Sequence, residues 1–177
     1  MDGLRRGDPE IFDRVYAHWR PRLFGFLARL SGRRDLAEDL LQETWIRVAK
    51  GAHRLEPQTR LGAWLYTVAR NVYLNHRRWA ALNAGRFFGF DDAPEPADPE
   101  TPFDLARAEQ LERKLEAALL QLPVKYREVL LLVGVEGLSP NEAAQVLELK
   151  ADALRQRLKR ARDMMQAQLG AELLEAS

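Results

Sequence analysis

Residues 139–162 read SPNEAAQVLELKADALRQRLKRAR, and this stretch decides how the C-terminal part of the chain folds. Ser139 and Glu142 have the spacing of a capping box, and Pro140 stands at the first helical position. The spacing predicts a short helix, a turn at residues 148–150 and then a longer helix rich in basic residues. Two helices joined by so short a turn are typical of a helix-turn-helix.

The second helix of this pair has two chemically different faces. Its apolar face holds Leu154, Leu158, Ala161 and Met165, and the opposite face holds Arg155, Gln156, Lys159 and Arg160. Arg and Lys suit guanine edges and phosphates, and Gln suits adenine. The pattern predicts a helix that reads duplex DNA from the major groove. An ordinary antiparallel helix pair with a solvated basic face stays open as the alternative.

Outward from this motif, the chain shows helical periodicity and no sustained two-residue alternation, which predicts an all-α fold. Asp8 can cap a first helix with Pro9 at its first position, and Pro21 is expected to kink or split that helix. Further helices are expected over Asp35–Lys50, Leu61–Trp79, Leu105–Leu122, Val124–Val135, Pro140–Leu147 and Ala151–Leu169.

Residues 91–104 interrupt the helical pattern. They hold four of the nine prolines and six acidic residues, so they cannot form a helix or bury a core. The sequence therefore predicts two small helical domains, at residues 8–84 and 105–170, joined by a Pro-rich acidic linker over residues 85–104.

Charge is distributed unevenly along the 177 residues, although the net charge is only +1. Residues 1–90 carry 16 basic and 9 acidic side chains, whereas residues 91–121 carry 3 basic and 9 acidic ones. The excess of basic side chains in residues 1–90 suggests a polyanionic partner. Solvated charged faces would give the same pattern and remain the alternative.

The helix predicted over Leu61–Trp79 combines aromatic and basic residues. Leu61, Leu65, Val68 and Val72 would be buried, and the opposite face would carry Tyr66, Arg70, Tyr73 and Arg77, with Trp64, Asn71 and Asn75 at the border. Aromatic rings beside cations suit a single-stranded nucleic acid, because bases stack on the rings while the cations bind phosphates. A core helix with snorkelling side chains is the alternative.

The helix predicted over Asp35–Lys50 has the opposite sign. Its apolar face is expected to hold Ala37, Leu40, Leu41, Thr44 and Val48, and its polar face Asp35, Glu38, Asp39 and Gln42, with Ile46 among them and Glu43 at the edge. Such a surface suits a basic protein partner and repels DNA. A solvated helix face is the alternative.

Enzymatic chemistry finds no support in the sequence. There is no cysteine, the three histidines lack metal-binding spacing, and no glycine-rich phosphate loop occurs, so neither catalytic residues nor a metal or other cofactor is expected. No apolar run is long enough to span a bilayer, and the N-terminus lacks a signal peptide. These features predict a cytoplasmic protein that is not inserted in a membrane.

Five stretches, in order along the chain, resemble the extracytoplasmic-function (ECF) sigma factors of the sigma-70 family, which are subunits of bacterial RNA polymerase. Residues 35–45 (DLAEDLLQETW) are similar to the family's "DAEDLLQETF", and residues 63–71 (AWLYTVARN) to its "AWLYRIARN". Residues 122–130 match "LPxxxREVxxL", residues 137–144 match "GLSxxEIA", and residues 157–162 match "RLxRAR".

This resemblance implies an alternative sigma factor that binds core RNA polymerase and directs promoter recognition, with sigma region 2 and region 4 as its two domains. The acidic helix would bind the beta-prime clamp helices through Asp35, Glu38, Asp39, Gln42 and Glu43. The helix predicted over Leu61–Trp79 and the loop before it would open and hold the minus-10 element. The residues involved would be Arg60, Trp64, Tyr66, Arg70, Asn71, Tyr73, Asn75, Arg77 and Arg78. The C-terminal helix would read the minus-35 element through Arg155, Gln156, Lys159 and Arg160.

The implied partners are core RNA polymerase, including its beta flap, together with promoter DNA and an anti-sigma factor. Glu148, Ala153 and Gly62 depart from the family pattern, which often has Gly at the first position, Thr at the second and a larger residue at the third. A stand-alone helix-turn-helix regulator or a sigma-mimic that titrates an anti-sigma protein are the alternatives.

Overall fold

The structure, a computed structural model, describes residues 2–84 and 106–175, and every regular element within these ranges is helical. The predicted linker at residues 85–104 lies outside the described residues. The described part contains α1 (Asp2–Arg5), α2 (Pro9–Ser31), α3 (Arg34–Gly51), α4 (Leu61–Ala84), α5 (Ala106–Gln121), α6 (Val124–Leu130), α7 (Pro140–Leu147) and α8 (Ala151–Glu175). A 3-10 turn at Ala52–Arg54 follows α3, and a π turn at Leu131–Val135 follows α6.

The predicted all-α fold is confirmed, with differences in single helices. Helix α8 runs six residues past Leu169, to Glu175, and the helix expected over Val124–Val135 ends at Leu130 and continues as the π turn. The four-residue helix α1 was not predicted, because four residues give no periodicity. Helix α4 continues five residues past Trp79, to Ala84. Helix α2 is continuous through Pro21, so the expectation of a split there is wrong. Burial of side chains after the proline, such as Phe26, and partial burial of Trp19 before it offset the cost of about 3 kcal/mol that an internal proline brings.

Helices α2, α3 and α4 pack together as the N-terminal half. Asp8 caps α2 as predicted, since its Oδ1 accepts hydrogen bonds from the backbone N–H groups of Glu10 and Ile11 at 3.0 and 3.3 Å. The predicted apolar face of α3 is confirmed, and all five of its members are buried: Ala37, Leu40, Leu41, Thr44 and Val48.

Helices α5 to α8 form the C-terminal half. The predicted capping box of α7 is present, with the Glu142 N–H donating to Ser139 Oγ and the Ser139 N–H donating to Glu142 Oε2 at 2.9 Å. Glu148 ends α7 in the left-handed conformation, with φ 55°, and is the one non-glycine residue with positive φ in the described chain. A left-handed residue at this point favours glycine, which explains the glycine common at this position in the resembling family.

The two halves share one continuous core. A single cluster of buried side chains runs from Leu23 in α2 to Ala161 in α8. Helix α2 contacts α5 and α6, and α4 contacts α7. The packing positions α4 between the N-terminal helices on one side and the C-terminal half on the other.

Arg127 in α6 connects the halves through backbone carbonyl groups. Its guanidinium donates to the carbonyl oxygen of Leu30, at the end of α2, over 2.8 Å. It also donates to the carbonyl oxygens of Leu119, Leu120 and Leu122, at the end of α5, over 2.5 to 3.2 Å. Helix C-termini leave unpaired carbonyls with partial negative charge, so one buried cation satisfies two helix ends together.

We expect Arg127→Met to lower the free energy of unfolding by about 2–4 kcal/mol, because it leaves buried carbonyl groups without a donor. Denaturant unfolding followed by circular dichroism measures this change. Arg160→Met on the exposed face of α8 is the control and should change stability by less than about 0.5 kcal/mol. Equal stability of the two variants would contradict a structural role for Arg127.

Candidate nucleic-acid and protein interfaces

The polar face of α3 is exposed as predicted. Asp35, Glu38, Asp39 and Gln42 are exposed, Glu43 is half-buried, and the Ile46 side chain lies among them with 49% of its surface accessible. Glu43 pairs with Arg47 over 2.7 Å. A hydrogen bond from Arg33 lowers the pKa of Asp35. The five predicted docking residues thus form one acidic surface, with an exposed apolar residue one turn beyond Gln42.

Helix α4 exposes a different set of residues from the predicted one. Asn71, Asn75, Arg77 and Arg78 are exposed, whereas Trp64 and Arg70 are partly buried. Tyr66 is fully buried and Tyr73 is 5% exposed, so the expectation that both tyrosines lie on an open face is wrong. The reason is tertiary: α4 is covered from two sides, and the buried stripe is wider than its aliphatic residues indicate.

Tyr66 belongs to an aromatic cluster between α2 and α4. Its ring meets Phe26 edge-on at 5.2 Å between centroids, and Trp19 at 6.0 Å. Its hydroxyl donates a hydrogen bond to Glu136 Oε2, which comes from the C-terminal half. Burial and this hydrogen bond raise the pKa of the Tyr66 hydroxyl, and burial raises the pKa of Glu136 as well. Arg22 lies 3.9 Å from the Glu136 carboxylate.

Arg70 on α4 is paired with Glu128 on α6. The Arg70 Nε and Nη2 atoms lie 2.8 and 3.3 Å from the two carboxylate oxygens, which is a bidentate geometry. Arg157 on α8 approaches the same carboxylate at 3.4 Å. The Glu128 side chain is 4% exposed, so this ion pair is shielded from water. A cation predicted for phosphate binding is therefore occupied by a carboxylate of the other half.

Arg60, in the loop before α4, makes a third contact between the halves. Its Nη1 lies 2.8 Å from Glu142 Oε1, in the first turn of α7. Hydrogen bonds from the Ser139 hydroxyl and backbone, followed by the one from Arg60, lower the pKa of Glu142 to about 2. Glu142 therefore serves two purposes, because it caps α7 and binds a basic residue of the N-terminal half.

Gly62 at the start of α4 is explained by its neighbour Trp19. A Cβ atom at position 62 would lie 2.7 Å from Trp19 Cη2, which is closer than real contacts allow. The tryptophan ring thus takes the space of the larger side chain common at this position in the resembling family. Arg22 lies over the same ring, 5.2 Å from its centroid.

The basic face of α8 is exposed as predicted. Arg155, Gln156, Lys159 and Arg160 all face solvent, while Leu154, Leu158 and Ala161 are buried against α6 and α7. Arg155 forms an exposed pair with Asp152, one helical turn earlier. Arg162 is also exposed and borders an open apolar groove formed with Leu130 and Met165.

The predicted site residues therefore fall into two groups. The α3 face and the α8 face are open, and on α4 so are Asn71, Asn75, Arg77 and Arg78, whereas Arg60, Tyr66 and Arg70 are engaged by three carboxylates of the C-terminal half. Of those three, Glu128 and Glu142 lie within the motifs quoted above, so the sequence marked the residues without indicating their contacts. Glu136 follows a π turn, and no sequence signal distinguished it.

Within residues 2–84 and 106–175, no cluster of His, Asp or Glu has the arrangement of a metal site. The same residues contain no helix that is long and apolar enough to cross a membrane.

Known families and proteins resemble this chain over most of its length. The sigma-70 region 2 family matches residues 15–81, and the sigma-70 region 4 family matches residues 112–165. The RNA polymerase sigma factor CarQ of Myxococcus xanthus is 36% identical over 180 aligned residues, which cover 100% of this chain and 99% of CarQ. The ECF RNA polymerase sigma factor EcfG of Rhodopseudomonas palustris is 33% identical over 150 residues, which cover 84% of this chain and 80% of EcfG.

A solved structure supports the same assignment. The sigma factor RpoE, in a co-crystal with the anti-sigma factor NepR from Bartonella quintana, superposes with a TM-score of 0.74 and 27% identity over 91% of this chain and 98% of that chain. The two family matches occur in the order that the sequence predicted, and the helices that they cover carry the acidic and basic faces described above. The chain therefore belongs to the sigma-70 family of RNA polymerase sigma factors and, within it, to the extracytoplasmic-function group of alternative sigma factors, which act in promoter recognition.

Proposed function

We propose that this protein binds core RNA polymerase through α3, holds the melted minus-10 strand along α4 and reads the minus-35 duplex with α8. The observation that carries the proposal is the separation of charge on open surfaces: an acidic face on α3 and a basic face on a helix-turn-helix. Run-off transcription with purified core polymerase and a promoter library tests the function as a whole. Transcription that starts equally well without the protein would refute it.

The acidic face of α3 is proposed to dock on the beta-prime clamp helices. Asp39 and Gln42 are exposed and Glu43 lies at the edge of the same face, while Ile46 supplies the apolar contact that many interfaces have at their centre. Complementary charge steers such an encounter, and like charges placed opposite each other cost several kcal/mol.

Asp39→Arg combined with Glu43→Arg is expected to abolish co-purification with core polymerase while the fold survives, because exposed charge changes alter stability by less than about 0.5 kcal/mol. The matched control is Glu10→Arg combined with Asp13→Arg, two exposed acidic residues of α2. If the first variant co-purifies at the wild-type level, or the control is lost equally, the docking face lies elsewhere.

The minus-10 strand is proposed to lie along the outer face of α4, where Asn71, Asn75, Arg77 and Arg78 are exposed. Trp64, Arg60 and Arg70 join the contact once the C-terminal half moves away and releases the two arginines from Glu142 and Glu128. Carboxylates and DNA phosphates compete here for the same cations. Tyr66 and Tyr73 can stack on bases only after a further rearrangement, since their rings are buried.

Weakening the contacts between the halves is therefore expected to favour DNA binding. Glu136→Gln combined with Glu142→Gln should raise the affinity of the free protein for a single-stranded minus-10 oligonucleotide about tenfold, since the variant removes a buried and an exposed charged contact. Fluorescence anisotropy measures the affinity. Glu148→Gln combined with Asp163→Asn removes the same charge from exposed positions of the same half and is the control. An equal gain in both variants, or none in the first, would contradict the competition.

The minus-35 duplex is proposed to bind the exposed face of α8. Arg155 and Lys159 stand one turn apart on the helix, as do Gln156 and Arg160, and this spacing presents four side chains to the major groove. Arg155 would exchange its contact with Asp152 for a base or a phosphate.

Arg155→Ala is expected to relax base preference at one minus-35 position, because a bidentate contact discriminates by about 1–3 kcal/mol. Arg162→Ala, which lies beside the apolar groove, should leave the preference unchanged. Selection from a randomised minus-35 library with each mutant holoenzyme measures both effects. Recovery of the wild-type consensus with Arg155→Ala would assign base reading to other residues.

An anti-sigma factor is a further proposed partner, since the solved relative described above was crystallised with one. A cytoplasmic location is proposed on the same grounds, because RNA polymerase and the promoter are there. One measurement distinguishes the proposed function from the two alternatives, a stand-alone DNA-binding regulator and a sigma-mimic. Neither alternative would support run-off transcription with core polymerase.

A further inference from the structure

Helix α1 packs against the loop that leads into α4. Leu4 is 2% exposed and forms a small separate core with Ala52 and Leu55, which are 4% and 5% exposed. Trp64 of α4 packs on the edge of this cluster. The N-terminal helix therefore braces the first residues of the loop at 52–60, which precedes the helix proposed to hold the minus-10 strand.

The geometry of α1 is closely held. A Cβ atom on Gly3 would lie 2.7 Å from Ile11 Cγ1, so the helix approaches α2 more closely than a larger residue permits. Gly7, with φ 72°, reverses the chain between α1 and α2, and the Asp8 N–H donates to the Gly3 carbonyl at 3.0 Å. The region 2 family match begins at residue 15, so α1 is an addition that the matched segment does not contain.

An open cleft of about 280 Å³ lies between α1 and the loop, lined by Asp2, Arg5, Arg6 and His53. Arg5 has a buried Nε atom with no hydrogen-bond partner, and its guanidinium lies 3.5 Å from the exposed carboxylate of Asp2. Arg54 donates from Nε to His53 Nε2 at 3.3 Å, which adds a third arginine beside the cleft. Among the lining residues, two arginines against the one carboxylate of Asp2 give the cleft a net positive charge.

We propose that this cleft binds a backbone phosphate of the single DNA strand, with Arg5 and Arg6 as its cations and Leu4 as the residue that positions them. The inference rests on the proposed minus-10 function and adds α1 to that site. Arg6 is exposed, and Arg5 pairs with the exposed carboxylate of Asp2, so a phosphate can accept hydrogen bonds from both guanidinium groups. A phosphate there would let α1 and α4 contact one strand from both ends of the loop.

The test uses holoenzyme assembled with core polymerase and a fork-junction probe whose minus-10 segment is single-stranded. Affinity is measured by fluorescence anisotropy across a series of salt concentrations. Each phosphate contact to a single strand contributes about 0.7 to the slope of log affinity against log salt. Arg5→Gln combined with Arg6→Gln is therefore expected to reduce the slope by about 0.7 and to weaken binding severalfold at low salt.

Two further variants separate the cleft from net charge. Arg14→Gln combined with Arg20→Gln removes the same charge from exposed positions of α2 and should keep the wild-type slope. Leu4→Ala keeps every charge but loosens α1, and it should reduce the slope as the double variant does. An unchanged slope in either cleft variant, or an equal reduction in the α2 control, would overturn the proposal.

Failure of the proposed function itself gives a different result. In that case wild-type holoenzyme would not bind the fork-junction probe above the level of core polymerase alone, and no comparison among variants would arise. With wild-type binding established, the salt slopes report on the cleft alone.

Discussion

A single buried guanidinium, that of Arg127, determines how the two halves of this sigma factor meet. It donates to carbonyl groups at the end of α2 and at the end of α5, so it holds the C-terminal ends of these two helices together. An uncompensated charge in such a place would be costly, and the carbonyl groups of two helix ends compensate it. The neighbouring Glu128 extends the connection, because it pairs with Arg70 of α4 and with Arg157 of α8. Two adjacent residues of α6 thus connect it to α2, α4, α5 and α8.

As a consequence, part of the α4 surface is occupied by contacts with the C-terminal half. Carboxylates of the C-terminal half occupy Arg60 and Arg70, and the Tyr66 hydroxyl is bonded to Glu136. The faces of α3 and α8 remain open in the same arrangement. In the proposed function, core polymerase and duplex DNA bind these open faces first, and their binding energy offsets the cost of parting the halves. A ligand shifts such an equilibrium only by its differential affinity for the two states, and a strand that needs α4 uncovered has that difference.

Local sequence signals were sufficient for most of the fold. The capping box at Ser139, the N-cap at Asp8 and the apolar stripe of α8 depend on residues within one or two turns of each other, and each appears where the spacing placed it. The open faces of α3 and α8 were predictable for the same reason, since a helix that packs on one side exposes the other. Glu148 shows a limit of these local signals. The turn was predicted from the sequence, but its left-handed backbone follows from the geometry of the helix pair.

The sequence by itself determined that the chain is helical, where its helices lie, and which faces of α3 and α8 carry charge. Only the tertiary structure decided which face of α4 is available, because that depends on residues distant in the sequence, such as Phe26 and Glu136. The spacing of Tyr66 and Tyr73 predicts an exposed aromatic face. Because α4 is packed on two sides, it also buries residues outside the aliphatic stripe from which its buried side was predicted. Likewise, the glycine at position 62 is explained only by the neighbouring Trp19 ring. The burial of Leu4 is explained only by its packing against Ala52 and Leu55. The apolar periodicity of a helix predicts one of its buried sides. A second buried side depends on contacts with distant segments of the chain, which the periodicity does not contain.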